Sequence, residues 1–112
     1  MNREEKLRML AVELDGLPEE IYDDLLVKLT ATAREHHRDL EVAVSAGDMS
    51  TAARLAHAIK GGAANLRAHE LCAAAESLEA GIAAAGGSEP CREGLDRLDQ
   101  ALSHLEKELA AS

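Results

Sequence analysis

Apolar residues recur along this chain at intervals of three and four, the spacing of one face of an α-helix. The first such run, from about Arg3 to Leu14, places Leu7, Leu10, Ala11 and Leu14 on one side and predicts a short opening helix. Asp15-Gly16 interrupts it. Pro18 restarts the chain in a first turn, where proline sacrifices no hydrogen bond, and Glu19 and Glu20 suit the positive end of a helix. The second run reaches about Ala46, with Tyr22, Leu25, Leu29, Ala33, His36, Leu40 and Ala43 as its stripe. Gly47 closes that helix, and Asp48 is a predicted N-cap for a third carrying Met49, Ala52, Leu55, Ala56, Ile59, Ala63 and Leu66.

A fourth helix is expected from about Ala68 to Ala85, with Leu71, Ala75, Leu78 and Ile82 inward. "AGGSEP" then reads as a loop in which Ser88 caps the next helix and Pro90 lies in its first turn. The last helix repeats Leu95, Leu98, Leu102, Leu105 and Leu109, the alternating spacing of bundle packing. Short connections between long amphipathic helices make antiparallel neighbours. The expected fold is therefore all-α: one domain over residues 1–112, an up-down four-helix bundle over about 18–109 with a short accessory N-terminal helix.

Composition agrees with a helical reading. Ala and Leu are the strongest helix formers, β-branched residues are sparse, and Tyr22 is the only aromatic, so the core must be aliphatic. A formal net charge of −9 opposes binding to nucleic acid or to an anionic membrane, both of which need a basic footprint. No apolar run approaches a membrane span, and the opening "MNREEKLRML" shows no signal-peptide pattern, so a cytoplasmic protein is expected. Cys72 and Cys91 match no zinc or redox pairing, and Cys72, inside an apolar pattern, reads as a buried free thiol.

The five histidines separate by helical angle. At about 100° per residue, His36 falls near the middle of its apolar stripe and reads as a core histidine, with His37 at the stripe's edge. His69 and His104 point away from their stripes and read as solvated. His57 lies about 140° from the centre of its apolar face and should reach solvent. Its neighbours on the same helix are Ala53, Arg54, Lys60 and Gly61, with Ala64 one turn further on. An exposed imidazole on a nearly bare surface beside one cation suits contact with another macromolecule. Any larger residue at 61 would lean over the turn holding His57, and Lys60 lies where a phosphoryl group on that ring would need positive charge. The structural reading of the same residues is a helix C-terminus, with Gly61 as a left-handed cap and a lysine at the negative dipole end. Continuation of the apolar spacing through Ala63 to Leu66 weighs against it.

The run His57-Ala58-Ile59-Lys60-Gly61-Gly62-Ala63-Ala64 resembles the signature of histidine-containing phosphotransfer (HPt) domains, a histidine, any residue, a hydrophobic residue, lysine and glycine, then small residues. The wider stretch "GDMSTAARLAHAIKGGAANLRAHELCAAAESLE" is similar to that family's third helix, tight turn and fourth helix. It departs at Arg67, where the family often has glycine. The resemblance implies a two-component phosphorelay. His57 would accept a phosphoryl group on Nε2 from the aspartyl phosphate of a response-regulator receiver domain and pass it to another receiver, with a hybrid histidine kinase as a further partner. It implies a monomeric carrier without cofactor or metal of its own, since the receiver supplies Mg2+ and most of the catalysis. Lys60 would stabilise the phosphoryl group, Gly61 would clear space for docking, and Ala53, Arg54 and Ala64 would meet the partner. Glu79 or Glu76 of the fourth helix could orient the imidazole, with Glu79 nearer the core face.

Other classes predict different residues. A kinase dimerisation domain has an acidic residue after the histidine and a nearby proline, where this chain has Ala58 and none. The phosphoacceptor domain of a chemotaxis-type kinase shares the motif and stays open. A metal-carboxylate bundle needs glutamate three positions before histidine, and none of the five histidines has it. A non-catalytic helical adaptor would leave His57 incidental.

Overall fold

The computed structural model of the chain describes residues 18–84 and 89–111. The expected opening helix at 3–14 and the Ser88 cap lie outside them. The described residues form an all-α bundle of four helices: α1 (Glu19–Ser45), α2 (Met49–Asn65), α3 (His69–Ala84) and α4 (Glu89–Ala110). Each packs on two neighbours, so that α1, α2, α3 and α4 form a closed ring in chain order. Pairs such as Tyr22 with Leu66, His57 with Glu79, and Glu70 with His104 show successive helices running antiparallel.

The turns follow from backbone chemistry. At the end of α1 the backbone N–H of Gly47 donates to Val44 O at 3.1 Å and that of Asp48 to Ala43 O at 2.8 Å. This closure needs a left-handed residue, and Gly47 supplies it at φ +77°. Asp48 then caps α2 by accepting from the Thr51 backbone N–H at 3.2 Å. The end of α2 repeats the closure, with Arg67 N–H donating to Ala64 O at 3.2 Å and Ala68 N–H to Ala63 O at 2.9 Å. Here the left-handed position is Arg67 at φ +57°. The turn keeps its geometry without glycine, at the steric cost a Cβ meets in that region.

The core is aliphatic. Leu40, Val44, Ile59, Leu71, Leu78, Leu95, Leu98 and Leu102 are buried, and alanines such as Ala52, Ala56, Ala63 and Ala75 let the helices approach. Tyr22 is fully buried, and its hydroxyl donates to the Leu66 carbonyl, tying the start of α1 to the end of α2. Between α1 and α4, Arg34 reaches Asp99 at 2.5 Å and Glu106 at 2.8 Å. Cys91 is buried and Cys72 only half-buried, so the expected burial of Cys72 is corrected.

The predicted stripe of α1 is also corrected. The helix buries Tyr22, Leu26, Thr30, Ala33, His37, Leu40, Ala43 and Val44, whereas Leu25 is exposed and Leu29 and His36 are half-buried. The histidine facing the core is therefore His37, not His36, and its Nε2 lies 3.1 Å from the Leu95 carbonyl. Both stripes share Tyr22, Ala33, Leu40 and Ala43, and the packing of α1 against α2 and α4 selects between them. Thr30, polar by type, enters the core because its hydroxyl donates to the Leu26 carbonyl at 2.7 Å.

Candidate functional site

Helix α2 runs unbroken through Lys60, Gly61 and Gly62 to Asn65, so Gly61 is no C-terminal cap. Ala52, Ala56, Ile59 and Ala63 are buried, which fixes the helix's rotation and leaves Arg54, His57, Ala58, Gly61 and Ala64 exposed. Ala53, expected on the bare surface, is half-buried against the core.

His57 stands 72% exposed, and its Nδ1 lies 2.8 Å from Glu79 Oε2 on α3. The other carboxylate oxygen, Oε1, accepts from Lys60 Nζ at 3.4 Å. One carboxylate thus joins a histidine and a lysine one turn apart, because antiparallel packing returns the stretch of α3 around Glu79 to the middle of α2. The hydrogen bond from His57 holds the Glu79 carboxyl below the ordinary carboxylate range, partial desolvation opposes this, and Lys60 reinforces it. An ionised carboxylate can only accept, so the proton of a neutral imidazole resides on Nδ1 and the lone pair on Nε2. Glu76 is exposed one turn earlier on α3, and no hydrogen bond joins it to His57 or Lys60.

The two glycines differ sharply in surroundings. A Cβ at Gly61 would meet nothing within 4 Å, whereas one at Gly62 would lie 2.8 Å from Leu29 Cδ1. Gly62 faces the Leu29 side chain of α1, and Gly61 leaves open surface one turn beyond His57.

A second histidine–carboxylate pair joins α4 to α3, with His104 Nδ1 2.7 Å from Glu70 Oε1. It has no bare surface of the kind at Gly61, since the residue four positions on is Glu108. Among the described residues, no group of three or more His, Cys, Asp or Glu side chains could hold a metal ion. No helix of the described residues is long and apolar enough to cross a membrane.

The described helices form one bundle, and the His57 imidazole projects from its surface into solvent. The Hpt domain family model matches residues 24–108, three-quarters of the chain and every helix of the ring. The chain belongs to that family, the histidine-containing phosphotransfer domains that serve phosphorelays as phosphocarrier modules alongside receiver domains and kinases. No curated protein and no solved structure matches it.

The apolar pattern and helical angle single out His57, Lys60 and Gly61 in the sequence, and the family resemblance offers Glu79 or Glu76 beside them. They missed the open groove on the other flank of α2, lined by Leu25, Leu29 and His36 among others. Those residues had been placed in the core, because an apolar pattern does not say which of two surfaces it covers.

Proposed function

We propose that His57 is the phosphoacceptor and that the protein carries a phosphoryl group between receiver domains. The observation that carries this is the 2.8 Å contact of Nδ1 with Glu79 on a ring that is otherwise open to solvent. It leaves Nε2 unprotonated, accessible and held in one orientation, which is what an in-line phosphoryl transfer asks of a nucleophile.

In the forward step the Nε2 lone pair attacks phosphorus of a receiver's aspartyl phosphate. The N–P bond forms as the P–O bond to the aspartyl carboxylate breaks, and the bonding pair leaves with that carboxylate. No proton is lost, so the phosphorylated ring retains its Nδ1 proton and gains positive charge. Glu79 lies against that proton and stabilises the charge. Lys60, three residues along the helix and paired with Glu79, is within reach of the phosphoryl oxygens as they arrive. Return to a second receiver is the same step reversed, with the neutral imidazole as leaving group. The metal chemistry belongs to the receiver, whose Mg2+ neutralises the phosphoryl oxygens.

The test incubates the protein with a phosphorylated receiver and Mg2+. The expected product is an acid-labile, base-stable phosphate on the chain that the His57→Gln variant lacks while keeping its helical circular dichroism. Label persisting in that variant would place the acceptor elsewhere. Absence of label, with signalling intact in His57→Gln cells, would favour the non-catalytic adaptor.

A further inference from the structure

Away from His57 the bundle holds a second solvent-facing imidazole with a carboxylate on one ring nitrogen. His104 on α4 is 58% exposed, and its Nδ1 lies 2.7 Å from Oε1 of Glu70 at the start of α3. An ionised carboxylate only accepts, so this contact holds the proton of the neutral ring on Nδ1 and leaves the lone pair on Nε2. Lys107 follows His104 by three residues, the step that separates Lys60 from His57, and it is exposed. The parts assembled around His57 therefore recur on a second pair of helices: an imidazole, a carboxylate from the neighbouring helix to orient it, and a lysine one turn on.

The two rings are served by different surfaces. Glu70 and Glu79 stand nine residues apart in α3. That spacing turns them to opposite sides of the helix and separates them by about 14 Å along its axis. A partner seated over His57 is thus not over His104. The turn beyond each ring differs as well. Gly61 clears it for His57, whereas Glu108 fills the matching position for His104 and leans back towards the ring as helical side chains do. Glu106 is turned away to Arg34 of α1 at 2.8 Å, which leaves Lys107 to offset the charge of Glu108 near Nε2.

We propose that His104 is a second phosphoryl-accepting site, served by small phosphoryl donors of the phosphoramidate class rather than by a receiver domain. The Nε2 lone pair attacks phosphorus of the donor. The new N–P bond forms as the donor's own P–N bond breaks, and the bonding pair leaves with ammonia. The ring keeps its Nδ1 proton and gains positive charge, which Glu70 stabilises through the hydrogen bond it already accepts. A small donor fits beside Glu108, and a protein surface does not. Glu70 is a positioning residue in this scheme, as it touches only the ring.

The test treats the full chain carrying His57→Gln with phosphoramidate and maps acid-labile, base-stable phosphate by peptide. His104 is expected to label at least about tenfold faster than His69, which is exposed and has no carboxylate on its ring among the described residues. In the chain with His57 intact, Glu70→Gln should slow labelling of His104 by about tenfold and leave the rate at His57 and the helical circular dichroism unchanged. Labelling of His104 no faster than that of His69, or unmoved by Glu70→Gln, would reduce the pair to an ordinary surface contact and overturn the proposal. A phosphorylated receiver with Mg2+ should leave His104 unlabelled in the His57→Gln chain; label there would overturn the exclusion assigned to Glu108.

Discussion

Replacing Gly61 with alanine, and then with glutamine, should move stability and phosphotransfer in opposite directions. Gly61 lies inside α2, and a Cβ there meets nothing within 4 Å. Glycine in a helix interior costs about 0.8–1.0 kcal/mol relative to alanine. With no packing to lose, Gly61→Ala should stabilise the fold by most of that amount, about 4 °C in Tm for a domain of this size. At Gly62 the same gain is offset by the displacement of Leu29, whose Cδ1 is only 2.8 Å away, and Gly62→Ala should come out near neutral.

Transfer responds differently, because a side chain at 61 leans back over the turn that holds His57. A receiver must bring phosphorus to about 3–3.5 Å from Nε2, and a misplacement of about 1 Å can cost roughly 100-fold in rate. Gly61→Gln should therefore slow single-turnover transfer by about 10- to 100-fold, and Gly61→Ala by less. Urea unfolding followed by far-ultraviolet circular dichroism measures the first quantity, and rapid-quench transfer from a phosphorylated receiver the second. A glutamine variant that transfers at the parental rate would refute the clearance argument. An alanine variant that is less stable would refute the reading of this surface as open.

The left-handed Arg67 gives a further prediction: Arg67→Gly removes the steric cost at φ +57° and should stabilise the fold by about 0.5–1 kcal/mol in urea unfolding. The carboxyl of Glu79 gives another. Its lowered folded pKa means that the link to His57 and Lys60 is fully present above the ordinary carboxylate range and is lost as pH falls through the folded value. Followed by carboxyl NMR, the Glu79 midpoint should rise in His57→Ala and rise less in Lys60→Met, since the His57 hydrogen bond is the larger cause; an unchanged midpoint in His57→Ala would show the contact to be absent in solution.

Much of the site was legible along one helix. His57, Lys60 and Gly61 lie within five residues, so helical angle alone places them on one surface, and their rotation is set by Ala52, Ala56, Ile59 and Ala63. Glu79 was legible only as one of two candidates. Glu76 and Glu79 are a turn apart at the border of the same apolar face, and nothing in their own helix distinguishes them. The depth at which α3 slides along α2 does so, and that depth is set by the Arg67 turn and the core leucines. The stripe of α1 was misread for a related reason. A long helix with apolar residues around much of its circumference offers two self-consistent faces, and its sequence ranks neither.

The four described helices, the Gly47 turn, the Asp48 cap and the side of α2 on which His57 emerges were legible along the chain, because each rests on interactions within a few residues. That His37 rather than His36 turns inward follows from the helices packed against α1. The tertiary structure alone brought Glu79 to Nδ1, and it alone set Gly62 against the Leu29 side chain while Gly61 stayed open. Each of these depends on where a second helix lies, and helix-to-helix register is set by the packing of the whole bundle.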